Sequence, residues 1–229
     1  MTSDKWQVSL NYYIMEEAKD TSTPKMWAIV LEKPAKPVLR RVDMPVPKSG
    51  QVLVRVEAAP INPSDLGNMN TDELPCPRRA GLEGSGVVMK SGGGLAARML
   101  VNKRVAFARG GGPDTGSNSG TYAQYIVVDA MTVISLDKKI DFDHACSSFV
   151  NPLSAIGLLD TLKQDKAKFV VQTGAASQLA RMMFRLAKDY GITFINIVRR
   201  EEQVAMLKEE FKQEYVLNSS DESFFTDLR

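Results

Sequence analysis

Between Met26 and roughly residue 135, apolar positions recur at every second residue in short runs. MWAIVLE, VLRRV and QVLVRVEAA come first, separated by Pro34, Pro37, Pro45, Pro47 and a Ser49-Gly50 turn. In the third run Val52, Val54 and Val56 alternate with Leu53, Arg55 and Glu57, leaving one apolar and one mostly polar face, the pattern of a half-buried strand. SGVVMK, KRVAFA and TYAQYIVV continue the series, with glycine-rich breaks at Gly92-Gly93-Gly94 and Gly110-Gly111-Gly112. This spacing predicts a small β-barrel or rolled sheet over roughly 26–135.

Near residue 141 the apolar spacing lengthens to three and four. Asp141 or Asp143 is placed to cap a helical stretch that is interrupted at Pro152 and resumes as LSAIGLLDTL. KFVVQT then reads as a buried strand. Leu179, Met182, Met183, Leu186, Ala187 and Tyr190 fall on one helical face, with Arg181, Arg185 and Lys188 on the other, and Gly191 stops the helix. ITFINIV is a second apolar strand, EEQVAMLKEEF a second helix with acids in its first turn, and YVLN a third strand. A strand–helix–strand–helix–strand series with short connections is the first half of a doubly wound parallel sheet, so the fold class is α/β.

Composition narrows the function classes. The 229 residues carry 29 basic and 27 acidic side chains, a net charge of +2, and so no basic face for nucleic acid. No apolar run is long enough for a membrane span. Two cysteines, Cys76 and Cys146, and one histidine, His144, do not make a structural zinc site or a disulfide framework, which points to a reduced intracellular setting. Residues 1–25 mix acids with aromatics, unlike a signal or transit peptide, and read as an extension. The expected compartment is cytoplasmic, with a mitochondrial one as the alternative.

The candidate chemistry sits between the first parallel strand and the helix after it, in Thr173-Gly174-Ala175-Ala176-Ser177-Gln178-Leu179-Ala180. Small residues there let backbone approach a pyrophosphate, and the N–H groups of a helix start bind its charge. The GxGxxG fingerprint is only partly present: Gly174 opens the turn, while Ser177 and Ala180 stand where glycine is usual. The second strand ends at Val198-Arg199-Arg200, about 25 residues on, where an acid would accept from an NAD ribose. Arginines there favour a 2′-phosphate, hence NADP(H); the plain alternative is a solvated loop before Glu201.

Taken in order, these segments resemble the medium-chain dehydrogenase/reductases, in particular their zinc-independent quinone reductase and enoyl reductase branch. The likeness runs from Met26 to the end through MWAIVLEKPAKPVLRRVDMPVPKSGQVLVRVEAAPINPSDL, GLEGSGVV, KRVAF, GTYAQYIVV, NPLSAIGLL and the TGAASQLA-to-IVRREEQ unit. The resemblance implies a GroES-like barrel domain (26–150, after the extension 1–25) followed by a partial Rossmann domain (151–229). It implies that Asn62, in INPSD, borders the nicotinamide and substrate, with Ser64 and Asp65 on the same loop. It also implies that Pro152, Leu153 and Ser154 lie along the cofactor, that Gly174 to Ala180 form the pyrophosphate loop, and that Arg199 and Arg200 meet the adenosine ribose. On the residues alone, Asn62-Pro63 is equally an Asx-type turn after a strand.

Departures from the family pattern are informative. The places of the catalytic zinc ligands hold Asn62 or Pro63, Leu82 and the Asn151 region, so no metal is expected. Glu83 then reads as structural, with a salt bridge as its candidate interaction, Cys76 as an ordinary loop cysteine, and His144 as packed or solvated. The tyrosine that enoyl-thioester reductases place after NPSD is missing, and Tyr122 and Tyr125 read as a packing pair. The expected function is therefore an NADPH-dependent reductase delivering hydride to a quinone or small enone. The alternative is a truncated, inactive member acting as a structural or assembly subunit, with another protein chain covering the sheet edge that KFVVQT would leave open.

Overall fold

The computed structural model describes residues 23–109 and 120–228, so most of the extension and the Gly110-Gly111-Gly112 break lie outside the described residues. The chain divides into two compact units, the first ending at Cys146 and the second beginning at Ser147.

In the first unit, β1 (Lys25–Lys33) forms a hairpin with β2 (Lys36–Asp43) and pairs on its other side with the short β4 (Arg78–Arg79). A five-stranded antiparallel sheet has the order β7-β3-β5-β6-β8, built from β3 (Gln51–Ala58), β5 (Glu83–Ser91), β6 (Arg104–Ala108), β7 (Tyr125–Asp129) and β8 (Val133–Ser135). The two sheets meet where the Ile29 N–H donates to the Tyr122 carbonyl and the Gln124 N–H to that of Trp27. The core of the five-stranded sheet is the alternating face read from the sequence: Val52 and Val54 of β3 pack with Val88, Val105, Phe107, Ile126 and Val128. Each such fully buried side chain contributes roughly 1.5–3 kcal/mol. Between the strands lie α1 (Pro63–Asn70), α2 (Leu95–Met99) and α3 (Phe142–Ala145).

The second unit is a parallel sheet of order β11-β10-β9, from β9 (Phe169–Thr173), β10 (Thr193–Val198) and β11 (Tyr215–Asn218). Helices α4 (Val150–Gln164), α5 (Gln178–Leu186) and α6 (Glu201–Glu209) share one core with Phe194, Val198 and Val216, residues of one sheet face. On the opposite face Phe169, Val171 and Tyr215 are exposed. A short α7 (Phe224–Asp227) ends the described chain.

Two expectations shift. Pro152 does not interrupt a helix: α4 starts at Val150, which puts the proline in the first turn, where its missing N–H is not needed. Helix α5 buries Ala180, Met183 and Phe184, and Ala187 just after it is buried too, while Leu186 and Tyr190 are exposed. The α-helix stops at Leu186 and tightens into a 3₁₀ turn over Ala187–Asp189, so its last predicted positions leave the apolar face.

Candidate functional site

The glycine turn is placed by the sheet register. Thr173, the last residue of β9, pairs with Ile197 of β10, and the Ala175 N–H reaches back to the Ile197 carbonyl at 3.3 Å. Gly174 and Arg199 therefore leave the sheet at the same edge, the carboxyl end of the strands, where open α/β sheets bind ligands. Gly174 has φ +60° and no atom within 4 Å of the position a Cβ would take, so backbone conformation demands the glycine and the space beside it is open. Ala175 and Ala180 are buried beneath the turn, in the core that also holds Ala155 of α4. Small side chains at these points let helix and strand close together.

Ser177 is the N-cap of α5. Its Oγ accepts from the Ala180 N–H at 3.3 Å, and its own N–H donates to the Gly174 carbonyl at 2.9 Å. The N–H groups of Ala176, Gln178 and Leu179 meet no acceptor among the described residues, and they carry the positive end of the helix dipole. Arg199 and Arg200 are both exposed. Arg200 forms an ion pair with Glu202 at 3.2 Å, whereas the Arg199 guanidinium has no partner among the described residues. An anion with two charged ends, one at the turn and one at the arginines, fits this edge. Pro152, Leu153 and Ser154 form the first turn of α4, where Leu153 and Ser154 are exposed and the Ser154 hydroxyl is bonded to the Val150 carbonyl at 2.6 Å. A groove of about 270 Å³, lined by Phe184, Lys188, Phe194, Gln213 and Tyr215, lies instead at the amino ends of the strands and away from the turn.

In the first unit Asn62 is the N-cap of α1 and is 4% exposed. Its N–H donates to Asp65 Oδ2 at 2.8 Å, and its Nδ2 donates to Glu83 Oε1 at 3.0 Å. Asp65 and Glu83 are themselves 1% and 0% exposed. Tyr122 completes the cluster by donating its hydroxyl to the Pro60 carbonyl at 2.9 Å. Burial raises the ionisation of that phenol well above the ordinary tyrosine value, and the charges of Asp65 and Glu83 raise it further. Asp65 was expected on the same loop as Asn62, whereas Tyr122 was read as one of a packing pair and not as a neighbour of Asn62. Tyr122 lies 62 residues from Pro60, a pairing that no local spacing signals.

The remaining candidates separate from this cluster. His144 is exposed and its Nδ1 pairs with Asp141 Oδ1 at 2.7 Å; Asp141, not Asp143, caps α3. Cys146 is buried, and its thiol is pushed up by that burial and by the charges of Glu83 and Asp143. Cys76 takes a hydrogen bond from Arg78 Nη1 at 2.9 Å. Among the described residues no group of three His, Cys, Asp or Glu is placed to hold a metal, and no helix is long and apolar enough to cross a membrane.

Comparison with known proteins gives this geometry a lineage. Residues 48–138 match the alcohol dehydrogenase GroES-like domain. The chain is 31% identical over 177 residues to a mitochondrial enoyl-[acyl-carrier-protein] reductase of Caenorhabditis elegans, covering 74% of this chain and 48% of that protein. A Mesorhizobium loti protein, whose crystal structure is described as that of an NADPH:quinone reductase, superimposes with a TM-score of 0.77. It is 34% identical and covers 91% of this chain and 64% of its own. The chain belongs to the medium-chain dehydrogenase/reductase superfamily. A mycobacterial structure complexed with NADPH shares this fold at a TM-score of 0.70 and 25% identity, over 86% of this chain and 59% of that one. The match to the superfamily thus spans both units, although the chain spans only about half the length of the curated relatives it matches. Its GroES-like first unit and its parallel-sheet second unit are the two parts that such a member was expected to contain.

Proposed function

We propose that the chain carries the NADPH site of a zinc-independent reductase acting on a quinone or an activated alkene. The observation that supports this most directly is the shared edge of β9 and β10, where an open glycine turn and a helix N-terminus stand beside the exposed Arg199 guanidinium. The helix start suits the pyrophosphate, and a guanidinium suits a 2′-phosphate by charge-assisted bonds. When bound, the nicotinamide would supply the hydride. Asn62 would border the substrate, whose oxygen receives the electron pair and then a proton from solvent. Asn62 and Leu82 stand where zinc-dependent members carry ligands, and neither side chain suits zinc.

Titration with NADPH and NADH, followed by nicotinamide fluorescence and thermal stabilisation, tests the reading. NADPH should bind more tightly than NADH. Replacing Arg199 and Arg200 with alanine should remove most of that preference while weakening NADH little. Failure of the chain to bind either nucleotide would overturn the proposal. A structural or assembly role without turnover draws on the exposed Phe169 and Val171 of the edge strand β9. That reading predicts self-association or a protein partner in the absence of nucleotide binding.

A further inference from the structure

Arg199 stands one residue past the end of its sheet. The pairing of β10 with β11 closes at Val198 and Asn218, and that of β10 with β9 already at Ile197 and Thr173. Among the described residues, what holds the Arg199 backbone is a pair of side chains from other elements. Its N–H donates to Gln203 Oε1 of α6 at 3.3 Å, and its carbonyl accepts from the Ser220 hydroxyl at 3.0 Å.

Ser220 is itself fixed. It lies in the turn after β11, where its N–H donates to Asn218 Oδ1 at 3.1 Å and the Asp221 N–H donates to the Asn218 carbonyl at 3.1 Å. The hydroxyl thus joins an ordered turn to the peptide that carries the arginine. Both Arg199 and Ser220 are exposed, and a single hydrogen bond there adds only modestly to the stability of the fold. An arginine side chain loses much rotamer freedom when it engages an anion, so an anchored peptide leaves less to be ordered on binding. Ser219 next door differs. Its Oγ reaches the Val198 carbonyl at 3.1 Å, but the Ser219 N–H already donates to that carbonyl at 2.8 Å. Loss of the Ser219 hydroxyl leaves its acceptor paired, whereas loss of the Ser220 hydroxyl leaves the Arg199 carbonyl to solvent.

We infer that Ser220 is a positioning residue for nucleotide selectivity, fixing the backbone from which the Arg199 guanidinium meets a 2′-phosphate. This rests on the reading of Arg199 given under Proposed function. The test uses the whole chain with NADPH and NADH, and reads the ratio of their dissociation constants by nicotinamide fluorescence. Ser220→Ala should lower the preference for NADPH about three- to tenfold while leaving the NADH constant unchanged. Ser220→Thr, which keeps a hydroxyl, should restore most of the preference, and Ser219→Ala should leave it at the wild-type value. In an R199A background S220A should change the ratio no further, since its effect passes through Arg199.

A hydroxyl that touched the nucleotide directly would weaken binding with and without Arg199. One that only supported the fold would weaken NADPH and NADH alike, and either result overturns the inference. If the wild-type chain binds neither nucleotide, or R199A keeps the full preference, the reading of Arg199 itself falls and the positioning role falls with it. A preference that R199A removes and S220A spares sinks the positioning role alone.

Discussion

Tyr122 presses its hydroxyl into a region that already holds two buried carboxylates, Asp65 and Glu83, and the consequence is a measurable pH dependence. Its ionisation is raised first by burial and then by those negative charges. Above the ordinary tyrosine value of about 10, the unfolded chain gives up a proton that the fold retains, so folding stability declines as pH rises past that point. Below it the contribution is fully present. Tyr122→Phe deletes the titrating group and the bond to the Pro60 carbonyl together. The expected outcome is a variant less stable than wild type near neutrality, by about 1 kcal/mol, but with a shallower loss from about pH 9 to pH 11. Urea midpoints across that range check it, and parallel slopes would show that Tyr122 is not the group responsible. This cluster also marks a limit of sequence reading. The sequence singles out Asn62 as a candidate site residue and Glu83 as a structural one, but the bond joining them links positions 21 apart in different elements. Nothing in their local pattern specifies it.

At the scale of elements the sequence was more informative, because each element obeys a local rule. The three parallel strands fall where continuous apolar runs place them, and Asp141 caps α3 as its position before the helical spacing suggests. Helix α5 shows why legibility stops short. Its apolar stripe was drawn through Leu186 and Tyr190, but Phe184 takes the core position by meeting Phe194 edge-on at 5.5 Å. Which of several large apolar residues wins the interior depends on the partner strand and not on helical period alone. The cap at Ser177 is a further element-scale feature, hidden in a position usually given to glycine. Its Oγ bond to the Ala180 N–H should stabilise the start of α5 by about 1 kcal/mol. Ser177→Ala should lower the thermal midpoint accordingly, whereas Ser177→Gly should cost only a few tenths of a kcal/mol. If the alanine variant matched wild type in a thermal melt, the bond would contribute nothing and the serine would be a neutral replacement.

For the whole molecule, the two cores share no residue: one gathers Val52, Phe107 and Ile126, the other Leu159, Leu207 and Val216. Separate cores predict separable unfolding, since a multi-unit chain need not melt as one cooperative transition. The sequence supplies a reporter. Trp27 lies in β1 of the first unit, so in a Trp6→Phe background tryptophan fluorescence follows that unit while far-ultraviolet circular dichroism follows both. Phe107→Ala removes a fully buried ring from the first core and should cost about 3–5 kcal/mol; Leu207→Ala should cost about 2–5 kcal/mol in the second. F107A is expected to lower the fluorescence-detected midpoint. L207A should leave that midpoint in place and move only part of the circular dichroism change. Should both variants shift the tryptophan transition together, the units are thermodynamically one, and NADPH bound at the glycine turn would then stabilise the GroES-like unit as well. Should they separate, nucleotide should raise only the transition that fluorescence does not see, which assigns the binding energy to the second unit independently of any activity measurement.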